Sequence, residues 1–250
     1  MKYPGKNAGR CIVLFAAMLA FMPAARAGSF TAAQRAEIVT ILREALRSDP
    51  SILRDAVVAM QADEGARERA VTQAALEAVR DQLVTADDPV GGNPKGDVTI
   101  VEFFDTRCGY CRRLEPVMAR FLAKDGNVRL VYKDLPILGP ASVLGSKALI
   151  AAAKQGGYEK LREALMKLPP DTTLPMIEAE AKALGLDWPR LARDMEDPAV
   201  RSQIDANLKL ASALNIQGTP AMIIGGELVP GAVELDELAR VVAEARRTAR

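Results

Sequence analysis

The run Phe103-Phe104-Asp105-Thr106-Arg107-Cys108-Gly109-Tyr110-Cys111-Arg112-Arg113 decides how the chain is read. Two cysteines two residues apart follow an apolar, β-prone stretch, Val98 to Phe104, and open a segment with helical spacing at Leu114, Val117, Met118 and Phe121. This layout is a strand, a sharp turn and then a helix whose positive N-terminal end faces the first sulfur. A helix end stabilises an anion, so a thiol placed there has its pKa lowered and its nucleophilicity raised. Pro116 is expected to kink that helix.

Downstream, Val128 to Tyr132 reads as a second strand, stopped at Leu135-Pro136. The dithiol then sits at the carboxyl end of the first strand of a βαβ unit, where open α/β sheets place their sites. From about 139 to 214 the pattern is helical throughout. Gln217 to Val229 reads as a hairpin with a two-glycine turn at Gly225-Gly226, and Leu235 to Ala249 closes as an amphipathic helix.

Upstream, Asp87 to Asp97 is turn and linker chemistry (Pro89, Gly91-Gly92, Asn93-Pro94, Gly96), and the domain boundary is placed here. Residues 28–86 carry helical patterns and no strand. Thr31 suits an N-cap, Ile38, Ile41, Leu42, Ala45 and Leu46 form one narrow apolar face, and Asp49-Pro50 ends the first helix. Ile52, Leu53, Val57 and Met60 continue a stripe on a second helix, and Gly65 in a charged stretch marks a candidate hinge. Such an arm buries too little surface to be stable alone, so it packs on the main domain or, the reading favoured here, on copies of itself.

The N-terminus has the form of a secretory signal peptide. Lys2, Lys6 and Arg10 precede an apolar core, Ile12 to Met22, and Ala25-Arg26-Ala27 is a small-x-small site, with cleavage expected after Ala27. About eleven apolar residues is too short for a span, which needs roughly twenty. Removing 1–27 takes away four basic and no acidic residues, so the formal charge moves from +1 to −3. Neither value argues for a nucleic-acid partner. Cys11 leaves with that segment, and Cys108 and Cys111 remain as the only thiols in a chain without histidine. Neighbours this close enclose almost no loop, so the pair serves chemistry rather than stability. One chain offers no third and fourth ligand for zinc, although two thiolates suit Cu(I); no metal is assigned.

With Gly92-Asn93-Pro94, Val101 to Asp105, Cys108-Gly109-Tyr110-Cys111, Asp134-Leu135-Pro136 and Gly218-Thr219-Pro220, the chain from about Gly92 onward resembles the bacterial DsbA family, and within it the ScsC and Com1-type members that carry an N-terminal extension. A lone CxxC is weak; a CxxC at a strand-to-helix junction with Gly-Thr-Pro about a hundred residues later is specific. The resemblance implies an α/β thioredoxin fold with an inserted helical subdomain, behind an all-helical arm. The expected divisions are 1–27 (signal peptide), 28–86 (arm, oligomerisation) and 87–250 (catalytic domain).

It also implies thiol:disulfide oxidoreductase chemistry in the periplasm. Cys108 is then the attacking thiol and Cys111 the resolving one, with the redox-active Cys108–Cys111 disulfide in place of any cofactor. A cis Thr219-Pro220 lies beside them to take up extended substrate, and Gly109 and Tyr110 join in binding substrate and set the redox poise. Glu102 is the buried acid that shuttles the Cys111 proton. Arg107, Arg112 and Arg113 either favour the thiolate or are solvated surface; Asp105 and Tyr132 are read as structural. The partners implied are cysteine-containing secreted proteins, a membrane redox protein of DsbD/ScsB or DsbB type, and further copies of the chain, a trimer favoured. A monomeric dithiol oxidase and a copper-tolerance protein remain the alternatives.

Overall fold

The computed structural model describes residues 30–248. The helices and strands follow in the order α1 (Ala32–Ser48), α2 (Ser51–Ala78), a single turn α3 (Arg80–Leu83), β1 (Val90–Gly92), β2 (Val98–Phe104), α4 (Gly109–Lys124) and β3 (Val128–Asp134). Five helices come next, α5 (Pro140–Ala153), α6 (Tyr158–Lys167), α7 (Leu174–Ala183), α8 (Trp188–Asp194) and α9 (Pro198–Ala213). The hairpin β4 (Ala221–Ile224) and β5 (Glu227–Pro230) and the helix α10 (Leu235–Thr248) complete the chain. The chain forms two compact units, dividing after Asp63.

In the first unit, Thr31 caps α1 through a reciprocal box: its hydroxyl accepts from Gln34 N and the Gln34 side chain accepts from Thr31 N. Asp49 follows the last turn, as proline at 50 requires. No residue of α1 is buried, although it carries Ile38, Ile41, Leu42 and Leu46. α2 runs without a break through Gly65. A glycine inside a helix costs about 1 kcal/mol relative to alanine, which 28 residues of continuous hydrogen bonding absorb.

The second unit is built on a sheet of order β1-β3-β2-β4-β5. β2 is central, parallel to β3 (Glu102 opposite Tyr132) and antiparallel to β4 (Glu102 opposite Met222). Strand periodicity divides its side chains between two cores. Ile100 and Phe104 join Leu114, Met118 and Phe121 of α4, Val241 and Val242 of α10, and the inserted helices. Val101 and Phe103 face the other way, against Leu210 and Leu214 at the end of α9 and against Leu76 and Val79. Each fully buried side chain of this size contributes roughly 1.5–3 kcal/mol. The stretch from Leu76 to Val84 therefore belongs to this unit's core although it precedes the turn-rich segment at which the sequence reading divides the chain.

That segment is not all linker. Val90–Gly92 forms β1, antiparallel to β3 with Gly91 opposite Leu130. At Gly91 any Cβ would meet the ends of the Glu159 and Tyr132 side chains, at 2.3 and 2.8 Å, so a larger residue in this edge strand would require them, the buried Tyr132 above all, to shift. The hairpin turn uses Gly225 (φ 57°) and Gly226 (φ 84°), the pair of left-handed residues that a two-residue hairpin asks for. Gln73 Nε2 donates to Gly226 O at 2.5 Å, fastening α2 to this turn. Among the described residues no helix is long and apolar enough to cross a membrane.

Candidate active site

Cys108 is the N-cap of α4, in extended backbone (φ −72°, ψ 118°), and its N–H donates to Asp105 O at 3.0 Å. Asp105 is the fastener of this turn. One carboxylate oxygen accepts from Arg107 N at 2.8 Å, and the other from Ile137 N and Leu138 N at 3.0 and 3.1 Å, which ties the end of β2 to the loop after β3. The Arg107 guanidinium donates to the carbonyls of Leu138 and Pro170, so the same turn is held to the inserted helical block.

Cys108 is 7% exposed and Cys111, within the first turn of α4, is 1% exposed; both are free thiols. The Cys108 thiol donates to Thr219 O at 3.1 Å, across 111 residues of sequence, and Thr219-Pro220 is a cis peptide. Pro220 cannot donate from its backbone nitrogen. Beside it opens a cavity of about 460 Å³ lined by Tyr110, Ile216, Gly218, Thr219, Pro220 and Leu228. Tyr110 is 60% exposed at its rim, with the Arg113 guanidinium 4.0 Å from its ring centroid. A side chain at Gly109 would meet nothing within 4 Å, so no packing demand explains that glycine.

The two thiols are driven apart electrostatically. Cys108 is lowered to about 5 because the Cys111 thiol donates to its thiolate, with further help from the Thr219 side chain and the Cys111 and Tyr110 backbone N–H groups at the start of α4; burial opposes this. Cys111 is pushed well above the thiol range by its hydrogen bond to Cys108, by burial and by the negative charge of Glu102. Arg112 is committed elsewhere, donating to Thr106 O at 3.2 and 3.0 Å. Thiolate stabilisation therefore comes from donors aimed at the sulfur more than from the arginines around it.

A direct expectation follows for pH. Alkylation of reduced protein with iodoacetamide should rise with a midpoint near pH 5 rather than near the ordinary 9.0. Since the folded value is the lower one, the thiolate stabilises the reduced fold in full only above the unfolded pKa. Its contribution shrinks as pH falls and is gone below about 5. A midpoint near 9 in the alkylation profile would contradict this.

Glu102 sits on the same sheet face as Ile100 and Phe104, 2% exposed, and its charge acts on the Cys111 thiol. Burial raises its pKa, while Arg162 of α6, 3.5 Å away, pulls the other way. The structure thus gathers Cys108, Cys111, Tyr110, Thr219 and Pro220 at one surface, with Gly109 in the same turn and Glu102 on the strand before it. Sequence reasoning did not single out Arg162. It stands among Lys160, Glu163 and Lys167 on an amphipathic helix, and only the inward phase of Leu161 and Leu165 hinted that a neighbour was buried.

A thioredoxin fold with CxxC at the start of its first long helix and a cis-proline loop against it defines a class, the thioredoxin-like dithiol proteins. Residues 99–243 match the family described as a DSBA-like thioredoxin domain, and the chain belongs to the DsbA family of thiol:disulfide oxidoreductases as an ScsC-like member. A thioredoxin-like oxidoreductase from Silicibacter pomeroyi is 43% identical, with a TM-score of 0.65 over 67% of this chain and 98% of that one. A linker-deletion mutant of Proteus mirabilis ScsC is 28% identical, with a TM-score of 0.66 over 89% of this chain and 100% of that one. Among curated proteins, the Na(+)/H(+) antiporter NhaA 3 of Salinispora tropica is 28% identical over 181 residues, 70% of this chain, but the chain spans only 28% of that protein's length. Proteins named thiol:disulfide interchange protein DsbA, from Burkholderia cepacia and Bordetella species, also match.

Proposed function

We propose that the protein is a thiol:disulfide oxidoreductase of the periplasm, exported by its N-terminal segment, that works on cysteines of secreted proteins as an oligomeric disulfide isomerase or reductase. The observation that carries this is the pairing of a Cys108 thiol lowered to about 5 with the Thr219 carbonyl 3.1 Å away, at the edge of an open cavity. Cys108 attacks a substrate disulfide as the thiolate, giving a mixed disulfide and releasing one substrate thiolate. The extended substrate pairs with the backbone ahead of Pro220 and rests against Tyr110. If the substrate does not rearrange, Cys111 resolves the complex, forming the Cys108–Cys111 disulfide, and Glu102 takes its proton. A membrane redox protein of DsbD/ScsB or DsbB type then resets the pair. Refolding of scrambled ribonuclease and reduction of insulin test the reading; activity in neither would overturn it.

The arm supports the oligomeric part. Ile41, Leu42, Leu53 and Met60 are 57, 56, 61 and 68% exposed on a unit whose first helix buries nothing, a surface suited to copies of itself. Several dithiols held in one assembly would meet an unreleased substrate at high effective concentration, which favours shuffling over single oxidation. The double variant Leu42→Glu, Leu53→Glu should sediment as a monomer where the parent is an oligomer, a trimer by the ScsC resemblance, and should lose isomerase activity while still oxidising dithiols. A wild-type protein that sediments as a monomer would remove this part of the proposal.

A further inference from the structure

The charges buried around Glu102 are unevenly shared. Arg162 reaches in from α6 with 2% of its side chain exposed, its guanidinium 5.0 Å from the Phe104 ring centroid and 4.4 Å from that of Tyr132. Nη1 donates to Glu115 Oε2 at 2.5 Å, whereas Nη2 is 3.5 Å from Glu102 Oε2. Nε has no hydrogen-bond partner. Glu115 stands on α4 one turn beyond Cys111, and 26% of its side chain is exposed. Two carboxylates thus share one guanidinium, and the shorter contact belongs to the carboxylate that does not face the resolving thiol.

The remaining groups around this cluster are few. β3 supplies Tyr132 and Asp134, and α6 supplies Tyr158 and Glu159. Burial raises both tyrosines and so keeps them neutral. Asp134 is raised to about 7 and is held by Tyr158 Oη, which donates at 2.7 Å. From β4 the register partner of Glu102 is Met222, which has no charge to offer. Burial raises Glu102 most, and against that background the charges that act on it are Arg162, which lowers it, and Glu115, which raises it.

We propose that Glu115 is a positioning residue that sets the proton affinity of Glu102 by competing with it for Arg162, so that the inserted helical block tunes the step in which Cys111 becomes a thiolate. This rests on the proposed function. In that step the Cys111 Sγ–H proton passes to the Glu102 carboxylate and the Cys111 sulfur attacks Cys108 of the mixed disulfide. The Cys108–Cys111 bond forms as the bond from Cys108 to the substrate sulfur breaks. The substrate leaves as a thiolate, so the enzyme dithiol is oxidised by two electrons and the substrate disulfide is reduced by two.

The uneven sharing suits both ends of the step. Before it, Glu115 compensates Arg162, and Glu102 remains basic enough to accept a proton. After it, Glu102 is neutral and Arg162 is still paired, so no guanidinium is left buried and uncompensated. Without the charge at 115, Arg162 would turn wholly to Glu102, lower its pKa and leave it a poorer base.

The test mixes reduced full-length protein in a stopped-flow instrument with excess 4,4′-dithiodipyridine. The first equivalent of thiopyridone reports attack by Cys108, and the second reports attack by Cys111 on the mixed disulfide. Glu115→Gln should move the lower inflection in the pH profile of the second phase down by about one pH unit and slow that phase several-fold at pH 7. Glu115→Asp, which keeps the charge, should restore the wild-type profile. A second-phase profile for Glu115→Gln that superimposes on wild type overturns the inference. A first phase with an ordinary thiol midpoint near 9 would instead overturn the proposed function, so the two failures are separable. Glu115 is partly exposed and its replacement by Gln preserves shape, so the variant is expected to fold.

Discussion

Replacing Cys108 by serine should reduce disulfide exchange to the uncatalysed level, and replacing Cys111 by serine should turn the protein into a trap. A serine hydroxyl is not ionised near neutral pH and gives no disulfide, whereas the Cys108 thiol is lowered to about 5 and is almost wholly thiolate there. In Cys111→Ser the attacking sulfur remains but the resolving one is gone, so mixed disulfides with substrate should accumulate close to stoichiometrically. Non-reducing electrophoresis of protein mixed with scrambled ribonuclease reads both outcomes. Because the Cys111 thiol is the largest contributor to the low Cys108 pKa, Cys111→Ser should also move the alkylation midpoint, since a shorter O–H donor replaces the S–H aimed at the Cys108 sulfur. Stable adducts through Cys111 in a Cys108→Ser protein would reverse the assignment of roles.

Arg162→Met is the largest expected change in stability. It removes the one cation between Glu102 and Glu115 and leaves Glu102, 2% exposed, without a compensating charge. Breaking a buried pair by deleting one partner costs roughly 3–5 kcal/mol, and the methionine also gives up the guanidinium stacking on Phe104 and Tyr132. The pH dependence has a definite sign. The loss should be full where the carboxylates are ionised in the wild type and should shrink as the pH falls and Glu102 takes up a proton. Adding Glu102→Gln to Arg162→Met should recover part of the stability at pH 7, because no buried anion then remains. Urea denaturation at pH 7 and pH 4.5 measures all three; a loss independent of pH would mean that packing, not charge, dominates.

The legible part of the fold was the part governed by local chemistry. Val98 to Phe104 before Cys108, Thr31 and Asp49-Pro50 around α1, and Gly225-Gly226 in the hairpin each have a reason within a few residues of themselves. β1 escaped because its three residues, Val90–Gly92, form a strand only by leaning on Arg129 to Val131, and its glycines carry the signature of a turn. Gly65 suggested a break, yet the helix continues through it, because a lone glycine's cost is small against a long helix. In the site, Cys108, Cys111, Thr219 and Pro220 were recognisable from spacing and motif. Arg162 was not, and Asp105 was read as structural without its partners: their work is done on Glu102, Glu115, Ile137 and Leu138, which only tertiary structure brings to them.

The split between the two thiols has a practical consequence. At pH 6 a thiol lowered to about 5 is roughly 90% ionised, while an ordinary one near 9.0 is about 0.1% ionised. A brief pulse of a tagged haloacetamide at that pH should therefore mark Cys108 ahead of common protein thiols, even in a crude extract. With no histidine in the 250 residues to react as a competing nucleophile, and Cys111 protonated and buried, the label within the dithiol falls on the Cys108 sulfur. The dithiol is thus its own reporter: the fraction that takes the tag counts how much of the protein is reduced at the moment of sampling.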